Sequence, residues 1–354
     1  MASSSAPTLA DVAAHLGVSR TTVSNAYNRP NQLSPALREK VLAAAGQLGY
    51  AGPDPMARGL RRGRTGTLGL VFDQPLSYAF TDPAAALFLR GLASGLEEHG
   101  RALTLIPRMP EGPERSAELV RAALIDGYIM FCTASDDPRF AAVRGRGLPY
   151  VLIEYDDDPD AALVQIDDEN GARAAAEHVA ALGHRDVGIV SAYTPGLVSG
   201  PEAQQHSKFH VQSTRLRGWR AGLEAGGVDW SGVAVSGAGG TRAGGARAAA
   251  ALLDRADRPT AILALSDVAA MGVLDAAAER GISTPDQLSV VGFDDIPQAA
   301  ETSPGLTTVS QPHEEKGRAA VRLLVSGARP EDSVLLPCEL VVRASTGPAP
   351  RLRP

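Results

Sequence analysis

The chain has 354 residues, 44% of them hydrophobic, and a formal net charge of −6 at pH 7. This length exceeds what one hydrophobic core usually holds and predicts two or more domains. No run of about 18 apolar residues occurs, and Met1-Ala-Ser-Ser-Ser5 has neither a basic start nor an apolar stretch, which speaks against a membrane span or export signal and for a cytoplasmic protein.

Charge is sorted by sign along the chain. Residues 1–64 hold eight basic and three acidic residues, a net +5, which leaves −11 for the rest. A basic head on an acidic body fits a protein in which only the head meets nucleic-acid phosphate. The head opens with Thr8-Leu-Ala-Asp11, where Thr8 is the expected N-cap and Asp11 completes a capping-box-like pair. Leu9, Val12, Ala13 and Leu16 then recur at helical spacing, and Gly17 ends the first helix. Ser19 is the expected N-cap of a second helix, with Val18 and Val23 placed to form a hydrophobic staple. A short helix, a tight turn with glycine and a second helix place that second helix in a DNA major groove. Its start carries Arg20, Thr21, Thr22, Ser24 and Asn25. Arg can bond guanine O6 and N7 bidentately and Asn can do the same to adenine, each pair worth ~1–3 kcal/mol of discrimination. The alternative is a merely solvated polar face. A third helix is predicted from Ser34 as N-cap through Pro35 to about residue 48, packing through Leu37, Val41, Leu42, Ala45 and Leu48.

Thr8-Leu-Ala-Asp-Val-Ala-Ala-His-Leu-Gly-Val-Ser19, Thr22-Val-Ser24, Asn28, Ser34, Arg38, Val41 and Leu48-Gly-Tyr50 resemble the DNA-binding head of the LacI/GalR family of bacterial repressors, and the resemblance runs to about residue 347. It implies that Arg20, Thr21 and Asn25 read bases, and that Thr8, Ser19, Thr22 and Asn28 hold phosphates. It also implies a homodimer on a pseudo-palindromic operator, with a head at 1–50, a hinge at 51–64, a core at 65–347 and a tail at 348–354. Within the hinge, Asp54 as N-cap and Pro55 at the first helical position can start a helix too short to persist alone. By the resemblance, two such helices, one per protomer, enter the minor groove together through Ala57 and Leu60, with Leu60 as the wedge that unstacks a base step. A plain interdomain linker is the competing reading.

From Thr67 onward, short β-rich runs alternate with helical stretches, the pattern of βα units around parallel sheets. Strands predicted at 68–72, 103–106, 127–130 and 150–153 make a first lobe; those at 187–190, 233–235, 261–265 and 289–293 make a second, separated by Ala-rich helices such as 171–182 and 242–253. The predicted fold is an all-α helix-turn-helix head plus an α/β core of two doubly wound parallel-sheet lobes, which the resemblance makes periplasmic-binding-protein-like. Lobe 1 is expected at about 65–155 and 297–325 and lobe 2 at about 160–293 and 330–347, with crossovers near 154–156 and 304–312.

Ligands of open parallel sheets bind beyond the carboxyl ends of the strands, here in the cleft between the lobes. Ser266, Asp267 and Asp294 follow predicted strands. Arg215 and Asp294 fall on the family's effector-binding arginine and aspartate. A guanidinium fork opposite a carboxylate suits vicinal hydroxyls, and so a sugar, polyol or nucleoside; a structural ion pair is the alternative. In the first lobe, Tyr78 and Phe80 lie in residues 73–82, which match the family's first pocket loop, and Glu154 and Asp167 are further candidates. Trp219 reads as core packing. The Gly/Pro/Gln/His-rich segment 191–212 is expected to cover the cleft.

Cys132 and Cys338 are the only cysteines and sit in apolar stretches, as buried thiols do. The acids at 156–158 and 167–168, and His206 with His210, raise catalysis or metal binding. Yet no third ligand is evident, and Pro201 and the polar composition favour a loop over a helix there. The glycine-rich run 237–245 lacks the lysine of a phosphate loop. No enzymatic activity, metal or cofactor is therefore expected. A solute-binding protein of the same core fold, without a regulatory role, is the remaining alternative, and the head argues against it.

Overall fold

Among its described residues the head holds three α-helices: α1 (Leu9–Leu16), α2 (Arg20–Asn28) and α3 (Pro35–Leu48). Thr8 bonds the Asp11 carboxylate through both its backbone N–H and its hydroxyl, each at 2.7 Å, and so anchors the start of α1. Gly17 leaves α1 at φ 63°, a left-handed turn that suits glycine. Ser19 Oγ then accepts the backbone N–H of Thr22 at 3.0 Å, which starts α2. A 3-10 turn at Pro30–Gln32 leads to α3, whose N-cap Ser34 accepts from the N–H of Leu37. Val12, Val23, Ala26, Val41 and Ala45 form the buried core, and Arg38 ties α3 to α2 by donating to the carbonyl of Ala26 at 3.3 Å.

The computed structural model describes residues 7–52, 64–72, 74–75, 77–132, 136–156, 158–192, 196–205, 207 and 209–350. The chain divides into two units at Gly66 and Thr67. In the larger one, β1 (Thr67–Phe72), α4 (Tyr78–Thr81), α5 (Pro83–Glu98), β2 (Ala102–Ile106), α6 (Pro113–Ala122), β3 (Tyr128–Phe131), α7 (Pro138–Arg146), β4 (Tyr150–Ile153) and β5 (Ala162–Ile166) build most of a first lobe. A second lobe follows with α8 (Asp168–Ala181), β6 (Val187–Ser191), β7 (Leu197–Ser199), α9 (Gly200–Gln205), α10 (His210–Ala225), β8 (Ala234–Gly237) and α11 (Arg242–Leu253). It continues through β9 (Ala261–Ala264), α12 (Asp267–Glu279), β10 (Ser289–Val291), α13 (Pro297–Glu301) and β11 (Thr308–Ser310). The chain then returns to the first lobe as α14 (His313–Ser326) and β12 (Val334–Leu336), and ends in the second as β13 (Glu339–Val341).

The first sheet runs β12-β5-β4-β3-β1-β2 and is wholly parallel. The second runs β10-β9-β6-β8-β7, parallel except for the antiparallel edge strand β7. A small antiparallel pair joins β11 to β13. Register positions the cleft: Phe72 pairs with Phe131 and Phe131 with Ile153, so β1, β3 and β4 end level. The next residues on two of these strands, Cys132 and Glu154, therefore emerge side by side.

The strand pairings move the expected lobe boundaries. β5 and β12 belong to the first sheet, whereas residues 160–166 and 330–336 were expected in the second lobe. α13 belongs to the second lobe, since Ile296 and Ala299 are buried in its core with Ile262, Val273 and Val290. The first crossover thus lies at 166–168, one strand later than expected, and a third runs at 336–339. The physical reason is that no helix separates β4 from β5 among the described residues, and β12 is a three-residue edge strand too short to show alternation.

Helices that carry cleft residues are docked unusually close. A methyl at Gly218 or Gly222 of α10 would lie 2.2 or 2.5 Å from the carbonyl oxygens of Glu169 and Arg173 on α8. One at Gly317 of α14 would lie 2.4 Å from the Leu92 nitrogen of α5. Only glycine permits backbone contact at these crossings.

Candidate functional site

In the head, α2 divides into two faces. Val23 and Ala26 are buried while Arg20 and Thr21 are exposed, and at 3.6 residues per turn Ser24, Asn25 and Asn28 fall on the same side as Arg20 and Thr21. Thr22 sits at the shoulder, its hydroxyl 2.9 Å from Ser19 Oγ. Asn25 donates to the Gln32 side chain at 3.2 Å, and Asn28 donates to the Ser24 carbonyl at 3.1 Å. Thr8 stands at the N-terminus of α1, where the helix dipole favours an anion. Arg20, Thr21 and Asn25, expected to read bases, thus share one face, and the hydroxyls expected to hold phosphates gather at helix starts. Ala57 and Leu60 lie outside the described residues.

The larger unit contains a cavity of about 170 Å³ at the carboxyl ends of both sheets. One wall is aromatic: Phe72 stacks on Phe131 with ring centres 5.2 Å apart, and Tyr78 lies beside Phe72 at 6.1 Å. The other wall is a buried polar chain. Lys316 donates to Glu154 and, at 2.7 Å, to Gln311 Oε1; Gln311 Nε2 donates to Asp294 Oδ1 at 2.6 Å. Arg215 lies 4.0 Å from Asp294 and donates to Asp168 at 2.7 Å and to the carbonyl of Leu265, with its guanidinium 3.5 Å above the Phe293 ring. Cys132 Sγ donates to Glu154 at 3.0 Å. Cys132, Glu154, Asp294 and Asp295 all hold positive φ, at 49°, 52°, 121° and 54°. Non-glycine residues in this region carry strain of ~1–3 kcal/mol each and cluster at functional sites. Three of them, Cys132, Glu154 and Asp294, line the cleft beyond strand ends, while Asp295 accepts from Arg343 at 2.6 Å.

Burial disfavours charge throughout this chain, and neighbours decide who keeps it. Burial alone would raise the Glu154 carboxyl, but the ammonium of Lys316 and the guanidinium of Arg215, with the Cys132 and Lys316 hydrogen bonds, hold it at about 2. Burial works against the Lys316 ammonium too, yet the Glu154 carboxylate outweighs it and Lys316 stays protonated. Burial pushes Asp294 well above the usual carboxylate range, with Arg215 opposing it and Asp267 and Asp82 adding to it. Burial likewise raises Asp168 against the pull of Arg215. His313, whose Nε2 lies 3.0 Å from the carbonyl of Asp294, is driven down to about 3 by burial and by Lys316.

Five residues singled out from the sequence meet at this cavity: Arg215, Asp294, Ser266, Tyr78 and Glu154. Three do not line it. Asp267 is fully buried below, accepting from Thr308 Oγ1 and, at 2.9 Å, from the N–H of Ile296, so it pins β11 and the turn before α13. Phe80 points away on α4 and is 70% exposed. Asp167 precedes α8, where its carboxylate accepts from Asn170 at 2.9 Å and its N–H bonds β12. The segment 191–212 contributes Ala192, Phe209, His210, Val211 and Gln212 to the lining, while its middle forms β7 and α9 at a sheet edge. Helix, not loop, thus holds Pro201, and His210 begins α10 with Asp156 3.0 Å away; His206 lies outside the described residues.

Sequence reasoning missed Lys316, Gln311 and His313. Lys316 shares the face of Ala320 and Leu323, four and seven residues on, and a lysine on an apolar stripe marks a buried cation. Gln311 follows a strand, as cleft residues do, but β11 is only Thr-Val-Ser.

A helix-turn-helix head joined to a two-lobed core with its cleft at the strand ends defines a DNA-binding protein with a built-in small-molecule site. Comparison with known proteins places it more narrowly. Residues 8–52 match the bacterial regulatory proteins of the lacI family, and residues 176–346 match the periplasmic binding protein-like domain. An HTH-type transcriptional regulator of Mycolicibacterium smegmatis is 42% identical over 330 residues, covering 90% of this chain and 89% of that protein. Among solved structures, a CelR–cellobiose complex is 31% identical with a TM-score of 0.72, covering 96% of this chain and 99% of that one. The lac repressor dimer bound to operator and the anti-inducer ONPF is 26% identical with a TM-score of 0.78, covering 97% and 100%. The chain belongs to the LacI family of bacterial transcriptional regulators.

Proposed function

We propose that this regulator is a repressor that binds a pseudo-palindromic operator as a homodimer and is controlled by a small polar effector, a sugar, polyol or nucleoside, in its cleft. Arg20, Thr21 and Asn25 read bases; Thr8, Ser19, Thr22 and Asn28 hold phosphates; Ala57 and Leu60 enter the minor groove. Arg215, Asp294, Ser266, Glu154 and Tyr78 contact the effector. The observation that carries this reading is the cavity itself, which sets a buried guanidinium and carboxylate 4.0 Å apart against an aromatic wall. Its volume suits a ligand smaller than the drug-sized occupants of ~300–1,000 Å³ pockets. The relatives point the same way, one solved with cellobiose and one on operator DNA. The test is selection of DNA from a random pool by the full chain, repeated across salt concentrations. Enrichment of a two-fold symmetric site with steep salt dependence is expected; no enrichment even at low salt would refute the reading.

A further inference from the structure

The cations of the cleft are already taken. Lys316 is 2% exposed and gives two of its three N–H bonds to Glu154 and Gln311. Arg215 is 4% exposed, and its charge faces Asp168 on one side and Asp294 on the other. Two buried cations thus meet three buried carboxylates. Asp82, which also lines the cavity, caps α5 by accepting from the Ala85 N–H at 2.8 Å and adds a fourth acid nearby. Neither histidine of the lining restores the balance: His313 is kept neutral by burial and by Lys316, and His210 stands against Asp156.

We infer that this cleft selects an uncharged polyhydroxyl ligand and rejects the same ligand carrying a phosphate, with Glu154, Asp168 and Asp294 as the residues that set the discrimination. This rests on the reading of the cleft as the effector site. An anion placed here would be desolvated beside the Glu154 carboxylate, with both cations of the cleft already paired, and like charges in a medium of low dielectric repel strongly. Hydroxyls meet no such obstacle, because each can donate to a carboxylate oxygen and accept from the N–H groups Arg215 still has free. The Phe72 and Phe131 rings supply an apolar wall for the faces of a sugar or cyclitol ring. Transfer of a phosphoryl group from a nucleoside triphosphate to a ligand hydroxyl, which breaks the donor's terminal phosphoanhydride bond and releases the nucleoside diphosphate and the hydroxyl proton, would therefore end the signal.

The test is calorimetric titration of the full chain with matched pairs: ribose and ribose 5-phosphate, glucose and glucose 6-phosphate, adenosine and adenosine monophosphate. At least one neutral member is expected to bind, with its phosphorylated partner at least tenfold weaker. A phosphorylated partner that binds equally or better, in a manner lost in Arg215→Ala, overturns the inference while leaving the effector site standing. Silence from all six compounds overturns it together with the reading beneath it. Inorganic phosphate supplies an arm that needs no effector. It should not raise the melting temperature of the wild type, but should raise that of Glu154→Gln, in which Lys316 loses its counter-charge. Asp294→Asn, which relieves Arg215 instead, serves where Glu154→Gln fails to fold. A folded variant that gains no response to phosphate overturns the charge account.

Discussion

Three side chains of the cleft separate binding from stability. Arg215→Ala removes the fork that faces the proposed effector and should abolish the ligand response while operator affinity stays within error. Unchanged ligand affinity by calorimetry would remove Arg215 from the effector site. Lys316→Met takes from the buried Glu154 carboxylate its ion-pair partner and leaves the Arg215 guanidinium as the remaining cation that favours its charge, a defect of the kind that costs ~3–5 kcal/mol when one partner of a buried pair is removed. Urea denaturation should show this loss, and Lys316→Met combined with Glu154→Leu should recover much of it. His313 carries a pH signature. Its folded form stays neutral down to about pH 3 because of burial and Lys316, whereas the unfolded chain takes up that proton below about pH 6.5. Its stabilising contribution is therefore complete above about pH 6.5 and is lost as pH falls through this window toward 3. The raised carboxylates Asp168 and Asp294 act in the opposite direction, losing their contribution as pH rises above the usual carboxylate range. Comparison with His313→Gln isolates the histidine: the variant's stability should fall less steeply between about pH 6 and 4.

At the level of the element, backbone-to-backbone docking of α10 on α8 sets where Arg215 stands. Gly222→Ala would insert a methyl 2.5 Å from the Arg173 carbonyl, so the helices must part. Overpacking of this kind costs ~1–3 kcal/mol, and because Arg215 lies two turns earlier on the same helix, ligand affinity should weaken along with stability. Calorimetry and thermal unfolding of the same variant check both; lost stability with full affinity would show that α10 adjusts without moving its arginine. Elements with a strong local signal were legible in the sequence. Thr8, Gly17, Ser19, Ser34 and Pro35 bound the head helices where capping rules place them, and α11 spans Arg242–Leu253 as its Ala-rich pattern predicts. What was illegible is tertiary. β5, β11, β12 and β13 have three to five residues each, too few to show a period, and all four flank crossovers. The cleft followed suit: Arg215 and Asp294 were legible, both through family likeness and Asp294 also through its place after a strand. Lys316 and Gln311 join the site only because β11 runs into α14, and Asp267 leaves it because Thr308 and Ile296 claim both its oxygens.

At the scale of the whole molecule, the proposed regulation requires only that the effector prefer one of two states of the dimer, since a ligand shifts an equilibrium by no more than its differential affinity. The cleft offers a physical basis for such a preference. Its polar wall is assembled from both lobes: Glu154 and Lys316 belong to the first, Arg215 and Asp294 to the second, and Gln311 in a crossover bonds to Lys316 on one side and Asp294 on the other. A ligand that satisfies both lobes at once favours the arrangement in which they are held together, and the three crossovers at 166–168, 310–313 and 336–339 are the segments through which lobe rotation must pass. Coupling between two binding events is reciprocal, and typical values are ~1–3 kcal/mol, or about 5- to 150-fold. The factor by which saturating effector changes operator affinity should therefore equal the factor by which operator changes effector affinity. Fluorescence anisotropy on labelled operator measures the first and calorimetry on the preformed complex the second. Gln311→Ala, which cuts one hydrogen-bonded link between the lobes while sparing Arg215, should shrink both factors together. Equal effector affinity with and without operator, beside an effector that still shifts operator binding, would show that the ligand acts somewhere other than this cleft.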